Sequence, residues 1–114
     1  YKNLYTHLQE CGFTLVFKET TYDADGKAKG NCDAELVLNA VKDYYEAKCD
    51  KVILITGDGD FACLATFFIE KSGLRVLIAP DSKKCSYLLR RIQIPIVYLN
   101  GLQNRLSLKR KSPQ

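Results

Sequence analysis

The chain has 114 residues, 46% hydrophobic and 26% charged, which is typical of one globular domain with a single core and excludes a disordered chain. Its five cysteines never form a CxxC pair and it has one histidine, a composition that argues against a zinc site. No apolar run approaches the ~20 residues of a membrane span, and no secretory signal pattern is present, so we expect a cytoplasmic protein without a membrane partner.

The net charge of +4 comes from the C-terminal end. Four basic residues and no acid occur among the last ten positions, and without them 13 basic residues balance 13 acidic ones. We therefore expect one domain over residues 1–104 and a disordered basic tail over 105–114. The tail either contacts phosphates or stays solvated. The neutral body carries no charge signature of nucleic-acid binding.

Turn-forming residues divide the first part of the chain into predicted elements. Residues 1–11 are predicted to form the end of an amphipathic helix, with Gly12 as its C-cap. This helix end and the tyrosine at position 1 together indicate a piece of a longer protein. β-Branched and aromatic residues predict a strand over 13–19. A polar loop over 20–31 leads to a predicted helix over 34–47.

The rest of the chain alternates strands with helices. Apolar runs without polar alternation predict buried strands over 51–56 and 74–79, and a last strand over 94–99. Helices are predicted over 61–73, with Gly73 as the residue that ends the helix, and over 81–91. This order is typical of a parallel sheet with helices on both faces, so the predicted fold is α/β with three α/β/α layers.

Two carboxylates separated by one glycine follow the first of these strands. Asp58 and Asp60 lie in the sequence TGDGDF, and ligands of open parallel sheets bind beyond the carboxyl ends of the strands. Hard cations such as Mg²⁺ prefer oxygen ligands from a few carboxylates. Either acid taken alone is more simply explained as the N-cap of the next helix, but only one residue can hold that position.

A third acid precedes the helix predicted over 34–47. Asp33 fits the N-cap position of that helix, and it can also converge with Asp58 and Asp60 at one edge of the sheet. Glu35 is a weaker candidate ligand, since acids in a first turn are favoured by the helix dipole alone. Three convergent carboxylates lead to the hypothesis of a divalent metal site.

Short motifs occur in a fixed order around these acids. KGNCD over residues 29–33 fits a KGxxD motif that opens a helix, and TGDGDF over 56–61 fits a [ST]GDxDF motif that ends a strand. A GxxV strand begins at Gly73 and is followed by a segment that contains serines. This set resembles the NYN domains, the LabA-like branch of the PIN-like nucleases, over about residues 13–92.

The resemblance implies a PIN-like fold and a metal-dependent endoribonuclease. It implies that Asp33, Asp58 and Asp60 bind Mg²⁺ or Mn²⁺, directly or through water, and that Thr56 orients the acids. The metal then polarises the scissile phosphate and lowers the pKa of an attacking water. RNA is the implied partner. Two candidate contacts to its backbone, Lys27 and Lys29, lie on the loop that leads to Asp33, where solvated lysines are the simpler explanation. The others are equally explained as a polar helix start: Ser82, Lys83, Lys84 and Ser86.

The sequence also departs from the family pattern. It has no opening strand that carries an Asp, and Asn39 stands where relatives often have Asp. We therefore predict an N-terminally truncated domain whose exposed sheet edges favour homo-oligomers. Whether this chain is an active enzyme stays open.

Two other functions stay open. A PIN-like module that binds RNA or protein without catalysis fits the neutral charge of residues 1–104. A haloacid dehalogenase-like phosphatase, with lower weight, also uses acidic turns at strand ends. It needs a nucleophilic DxD motif at the end of a first strand, which is missing. The sequence upstream in the parent protein separates the nuclease from the binding module. A strand that ends in Asp favours the nuclease, and a non-acidic residue at that position favours the binding module.

Overall fold

The computed structural model describes residues 1–108, so residues 109–114 of the expected basic tail lie outside the described part. The chain divides into two compact units, Tyr1–Leu36 and a second unit from Val37 onward. No helix within residues 1–108 is long and apolar enough to cross a membrane. The elements, in chain order, are α1 (Lys2–Glu10), β1 (Thr21–Tyr22), β2 (Ala28–Lys29), α2 (Asp33–Tyr45), β3 (Val52–Ile55), α3 (Ala62–Glu70), β4 (Leu74–Ala79), α4 (Tyr87–Arg90), β5 (Ile96–Tyr98) and α5 (Gln103–Leu106).

The first unit begins with the predicted helix but lacks the predicted strand that follows it. Gly12, with φ of +100°, lies just past the end of α1, where a glycine stop is expected. The strand predicted over 13–19 is wrong, since residues 13–20 form no strand and Phe13 and Phe17 are 61% and 65% exposed. Strand-forming side chains need a hydrogen-bonded neighbour, and no strand within residues 1–108 pairs with this segment.

A short hairpin replaces part of the loop predicted over 20–31. Strands β1 and β2 pair antiparallel. Asp23 closes the turn between them, because its Oδ1 accepts hydrogen bonds from the N–H groups of Asp25 and Lys27, both at 2.9 Å. Lys27 and Lys29 are therefore carried on a defined hairpin, and both are exposed.

Helix α2 begins one residue earlier than predicted. The Cys32 carbonyl accepts the first helical hydrogen bond from the N–H of Leu36 at 2.9 Å, and Asn31 Oδ1 accepts one from the N–H of Asp33 at 2.7 Å. The N-cap prediction for Asp33 is wrong, because Cys32 holds the cap position and the Asn31 side chain satisfies the helix start. Asp33 is thus a first-turn acid of α2.

The second unit is built on a three-stranded parallel sheet in the order β3-β4-β5, which confirms the predicted α/β fold class. One face of the sheet is covered by α3, and α2 packs against the same core through Tyr44 and other apolar residues. The tight core of this unit consists of Leu54, Leu64, Ala65, Phe68, Leu77, Ala79, Cys85 and Leu89.

Strand β3 is covered on one face, not on both as predicted. Leu54 is buried, whereas Ile53 and Ile55, which point to the opposite face, are 54% and 63% exposed. Strand β4 is its one hydrogen-bonded neighbour within residues 1–108. Thus β3 forms an edge of the described sheet.

The helix predicted over 61–73 is shorter than expected. A 3₁₀ turn over Gly59–Phe61 leads into α3, which ends at Glu70. Ser72, rather than Gly73, takes the left-handed conformation after the helix, with φ of +54°. Gly73 instead allows close packing, because a Cβ there would lie 3.1 Å from Cε2 of Tyr44.

Candidate metal centre

The acid-rich turn begins where β3 ends. The N–H of Thr56 donates to the carbonyl of Ile78 at 2.9 Å, which continues the ladder between β3 and β4 past the last residue of β3. The Thr56 hydroxyl then accepts a hydrogen bond from the N–H of Asp58 at 3.1 Å. Thr56 therefore fixes the direction in which the chain leaves the sheet.

Asp58 and Asp60 share one compact turn. Asp58 Oδ1 accepts a hydrogen bond from the N–H of Asp60 at 2.9 Å, and the Asp58 carbonyl accepts one from the N–H of Phe61 at 3.2 Å. Asp58 thus caps the 3₁₀ turn over Gly59–Phe61. Both carboxylates are exposed. Capping and metal binding are compatible, because a carboxylate has two oxygens with about four lone-pair sites.

Three carboxylates approach one another at this point. One carboxylate oxygen from each of Asp33, Asp58 and Asp60 lies within 4.8 Å of the other two. Two unit charges at that distance repel by about 0.9 kcal/mol in bulk water. The ion pairs within residues 1–108 use other acids. No lysine or arginine of the described chain therefore forms an ion pair with these three acids.

Glu35, the weaker candidate ligand, lies outside this acidic group. Its Oε1 is 3.5 Å from Nζ of Lys18, and the same ammonium group donates to the carbonyl of Asn31 at 2.7 Å. Glu35 therefore holds the segment before α2 against the start of the helix. The ion pair with Lys18 gives Glu35 a structural role that does not require a metal.

The acidic group fits the ligand chemistry of Mg²⁺ or Mn²⁺. Oxygen ligands about 2.1 Å from Mg²⁺ in an octahedron lie roughly 3 Å apart in adjacent positions and about 4.2 Å apart in opposite ones. The limit of 4.8 Å exceeds the larger separation by about half an ångström, which a small side-chain rotation or one bridging water spans. The exposure of Asp58 and Asp60 leaves room for the waters that Mg²⁺ retains.

The loop between β4 and α4 carries four of the residues that the resemblance implies as RNA contacts. Helix α4 spans Tyr87–Arg90, shorter than the predicted 81–91, because Ser86 caps it by accepting a hydrogen bond from the N–H of Leu88 at 3.2 Å. The N–H of Ser86 donates to the Gly57 carbonyl at 3.0 Å, so this loop contacts the acidic turn. The four residues are Ser82, Lys83, Lys84 and Ser86.

Sequence reasoning missed a residue that holds this loop. Asn100 follows β5, and its Oδ1 accepts a hydrogen bond from the N–H of Ser82 at 3.3 Å, while its Nδ2 lies 3.2 Å from Ser82 Oγ. The Arg90 guanidinium also donates to the Ser82 carbonyl. Asn100 could have been found from its position just beyond the carboxyl end of a predicted parallel strand. The same criterion selected Asp58.

Comparison with known proteins agrees with this fold. The NYN domain family model matches residues 2–98. A crystal structure of a protein of unknown function from Vibrio parahaemolyticus is similar, with a TM-score of 0.68 and 25% sequence identity. The match covers 86% of this chain and 59% of that chain, so this chain spans less than two thirds of that protein's length. No curated protein matches the chain.

The family match includes every motif position around the acidic turn. It extends from α1 to β5, over most of the chain. The similar crystal structure and the parallel sheet fit a PIN-like fold. The family match favours a nuclease-type module over the haloacid dehalogenase-like alternative. On this match, the chain belongs to the NYN domain family.

Proposed function

We propose that this NYN domain is a metal-dependent endoribonuclease of the LabA-like branch, which acts in the cytoplasm and hydrolyses RNA with one bound Mg²⁺ or Mn²⁺ ion. The observation that carries the proposal is the approach of three carboxylate oxygens to within 4.8 Å of one another. Membership in the family supports a nuclease-type module with RNA as its substrate class. Residues 1–104 form the proposed domain.

Each residue of the acidic turn has a distinct part in this proposal. Asp58 and Asp60 supply oxygen ligands from the 3₁₀ turn, and Asp33 supplies one from the first turn of α2. When bound, the metal polarises the scissile phosphate and lowers the pKa of a water molecule. Thr56 keeps the turn in place through its hydrogen bond to the N–H of Asp58. The exposed side of the turn admits an RNA phosphate.

The proposed contacts to the RNA backbone are lysines and serines near strand ends. Lysine side chains attract phosphates regardless of sequence, and the lysines concerned are exposed. Such contacts position a nucleic acid without reading its bases, so we expect little sequence preference. The residues are Lys27, Lys29, Ser82, Lys83, Lys84 and Ser86.

Calorimetric titration with Mn²⁺ tests the metal site directly. We expect saturable binding to the wild type and a loss of at least about tenfold in affinity for Asp58→Asn and for Asp60→Asn, since each removes one charged ligand. Asp50→Asn, an exposed acid just before β3, is the matched control and should bind like the wild type. Absence of binding to the wild type would exclude the metal-dependent mechanism for this chain.

Cleavage of a fluorescent single-stranded RNA then tests the activity. The proposal expects cleavage that requires Mn²⁺ or Mg²⁺ and disappears in Asp60→Asn. Metal binding and RNA binding without cleavage would instead support a catalytically impaired binding module. That result would leave the metal site intact and remove the nuclease assignment.

A binding function through the sheet edge is the second candidate, and an exposed surface favours it. The N–H groups of Val52 and Thr56 point to β4, so the alternate residues Ile53 and Ile55 direct their backbone groups to the open edge of β3. Their side chains are also exposed and apolar. Such an edge pairs readily with another strand. We propose that two copies of the chain associate there.

Light scattering on the wild type and on Ile55→Lys tests this association. A lysine on an edge strand opposes pairing between chains. We expect a dimer for the wild type and a monomer for the variant. A wild type that stays monomeric at about 100 μM, which limits the association free energy to about −5.5 kcal/mol or weaker, would remove the proposed homo-oligomer.

A further inference from the structure

The loop after β4 is in backbone contact with the acidic turn. The N–H of Ser86 donates to the Gly57 carbonyl at 3.0 Å. A Cβ added to Gly57 would lie 3.7 Å from Cδ of Pro80 and 3.9 Å from the carbonyl oxygen of Lys84. The two segments therefore pass each other at van der Waals distance, immediately before the two aspartates.

Gly59, between the two aspartates, lies against the Ser86 side chain. A Cβ built at Gly59 would be 2.4 Å from Oγ of Ser86, 3.1 Å from its Cβ and 3.0 Å from Cδ1 of Leu88. The first distance is far below any contact between non-bonded atoms. The φ of Gly59 is not among the positive values of the described chain, so its conformation is open to other residues. The requirement for glycine is therefore steric, and Ser86 imposes it.

Ser86 cannot easily move away from Gly59. Its Oγ accepts the N–H of Leu88 as the N-cap of α4, and a displaced hydroxyl would leave that N–H unpaired. The neighbouring Cys85 and the α4 residue Leu89 are buried in the core, so the backbone on both sides of Ser86 is fixed. A side chain at position 59 would therefore push the acidic turn, rather than the loop.

We propose that Ser86 is a positioning residue for the acidic turn and acts by packing its hydroxymethyl group against Gly59. The contact sets the separation and direction of the Asp58 and Asp60 carboxylates, which flank Gly59 on both sides. The expected effect of Ser86 on metal affinity rests on the proposed function. Its expected effect on the geometry of the turn does not depend on a metal. The contact gives Ser86 a role through the acids in addition to its proposed contact with the RNA backbone.

Four proteins form the test: the wild type, Gly59→Ala, Ser86→Ala and the double variant. If Ser86 occupies the space that a side chain at 59 needs, Gly59→Ala should lower Mn²⁺ affinity by about tenfold, as for other residues that orient metal ligands. Ser86→Ala alone should lower it by at most about threefold. The double variant should recover to within about threefold of the wild type, since loss of Oγ removes the contact at 2.4 Å and leaves only those near 3 Å.

Matched controls separate this effect from the cost of the substitutions themselves. Within residues 1–108, a Cβ added to Gly101 meets no atom within 4 Å, and the Ser107 hydroxyl donates to the Gln103 carbonyl at its own helix end. Gly101→Ala and Ser107→Ala should therefore bind Mn²⁺ like the wild type. Wild-type affinity in Gly59→Ala, or a double variant whose loss is the product of the two single losses, would overturn the proposal.

A readout without metal keeps the inference independent of the proposed function. The N–H of Asp60 donates to Asp58 Oδ1, so its amide NMR shift reports the geometry between the two acids. Gly59→Ala should move that resonance and lower the melting temperature by about 5 °C. Ser86→Ala loses the N-cap of α4 and is itself less stable, so the double variant is compared with Ser86→Ala, and in that background most of both changes should be reversed. If the wild type binds no Mn²⁺ but this reversal occurs, the proposed function fails and the positioning role holds. Additive shifts would remove the positioning role.

Discussion

Replacement of Asp60 by asparagine is expected to stabilise the metal-free protein. The substitution removes one charge from a group of three, so two repulsive pairs disappear. At 4.8 Å each pair costs about 0.9 kcal/mol in water, and about half of that at 0.15 M salt, where the Debye length is about 8 Å. The gain is about 1 kcal/mol at most, because Asp58 and Asp60 are also neighbours in the unfolded chain. The melting temperature should rise by up to about 4 °C.

Manganese is expected to invert this order of stability. At a free Mn²⁺ concentration 100 times the Kd, binding stabilises the folded wild type by about 2.7 kcal/mol. The variant lacks one ligand and should gain much less. Thermal unfolding with EDTA, and then with Mn²⁺, measures both effects, with Asp50→Asn as the control that follows the wild type. A variant that is less stable than the wild type in EDTA, or that gains as much from Mn²⁺, would refute the reasoning.

Two further predictions concern the packing around the site. Gly73→Ala places a Cβ 3.1 Å from Cε2 of Tyr44, so we expect a loss of about 1–3 kcal/mol in urea unfolding; a loss no larger than that of Gly101→Ala would contradict this. Asn100→Ala removes the acceptor of the Ser82 N–H, so hydrogen exchange of that amide should accelerate by about tenfold with the core amides unchanged. An unchanged Ser82 amide would show that Asn100 does not hold the loop.

The strands of the sheet and the acidic turn could be predicted because the signals for both lie in short stretches of sequence. Strand β4 spans the predicted residues 74–79, and β3 and β5 fall within their predicted ranges. Asp58 and Asp60 were selected because they follow a buried strand, and the structure brings their carboxylates together with that of Asp33. The rule that ligands bind at the carboxyl ends of parallel strands needs no knowledge of distant contacts.

Features that depend on contacts between distant residues could not be predicted in the same way. In the sequence, Gly59 has the pattern of a flexible turn residue. In the structure, a side chain at position 59 is excluded by the hydroxyl of Ser86, 27 positions further along the chain. Gly73 is predicted as a helix stop, but in the structure the ring of Tyr44 packs closely against it and leaves little space for a side chain. In both cases the sequence shows the small residue and hides the atom that requires it. Only the packing shows which substitution the site tolerates.

The two wrong predictions about strands have a common physical cause. The strand over 13–19 and the burial of both faces of β3 were each predicted from apolar, β-branched sequence, which describes side chains that suit a sheet. Propensity does not supply the neighbouring strand that forms the ladder and covers the side chains. Phe13 and Phe17 stay exposed in one unit, and Ile53 and Ile55 stay exposed in the other. Burial of Ile53 and Ile55 on β3 needs a strand or helix from another chain or segment. For this reason we place the proposed association of two copies at this edge of the sheet.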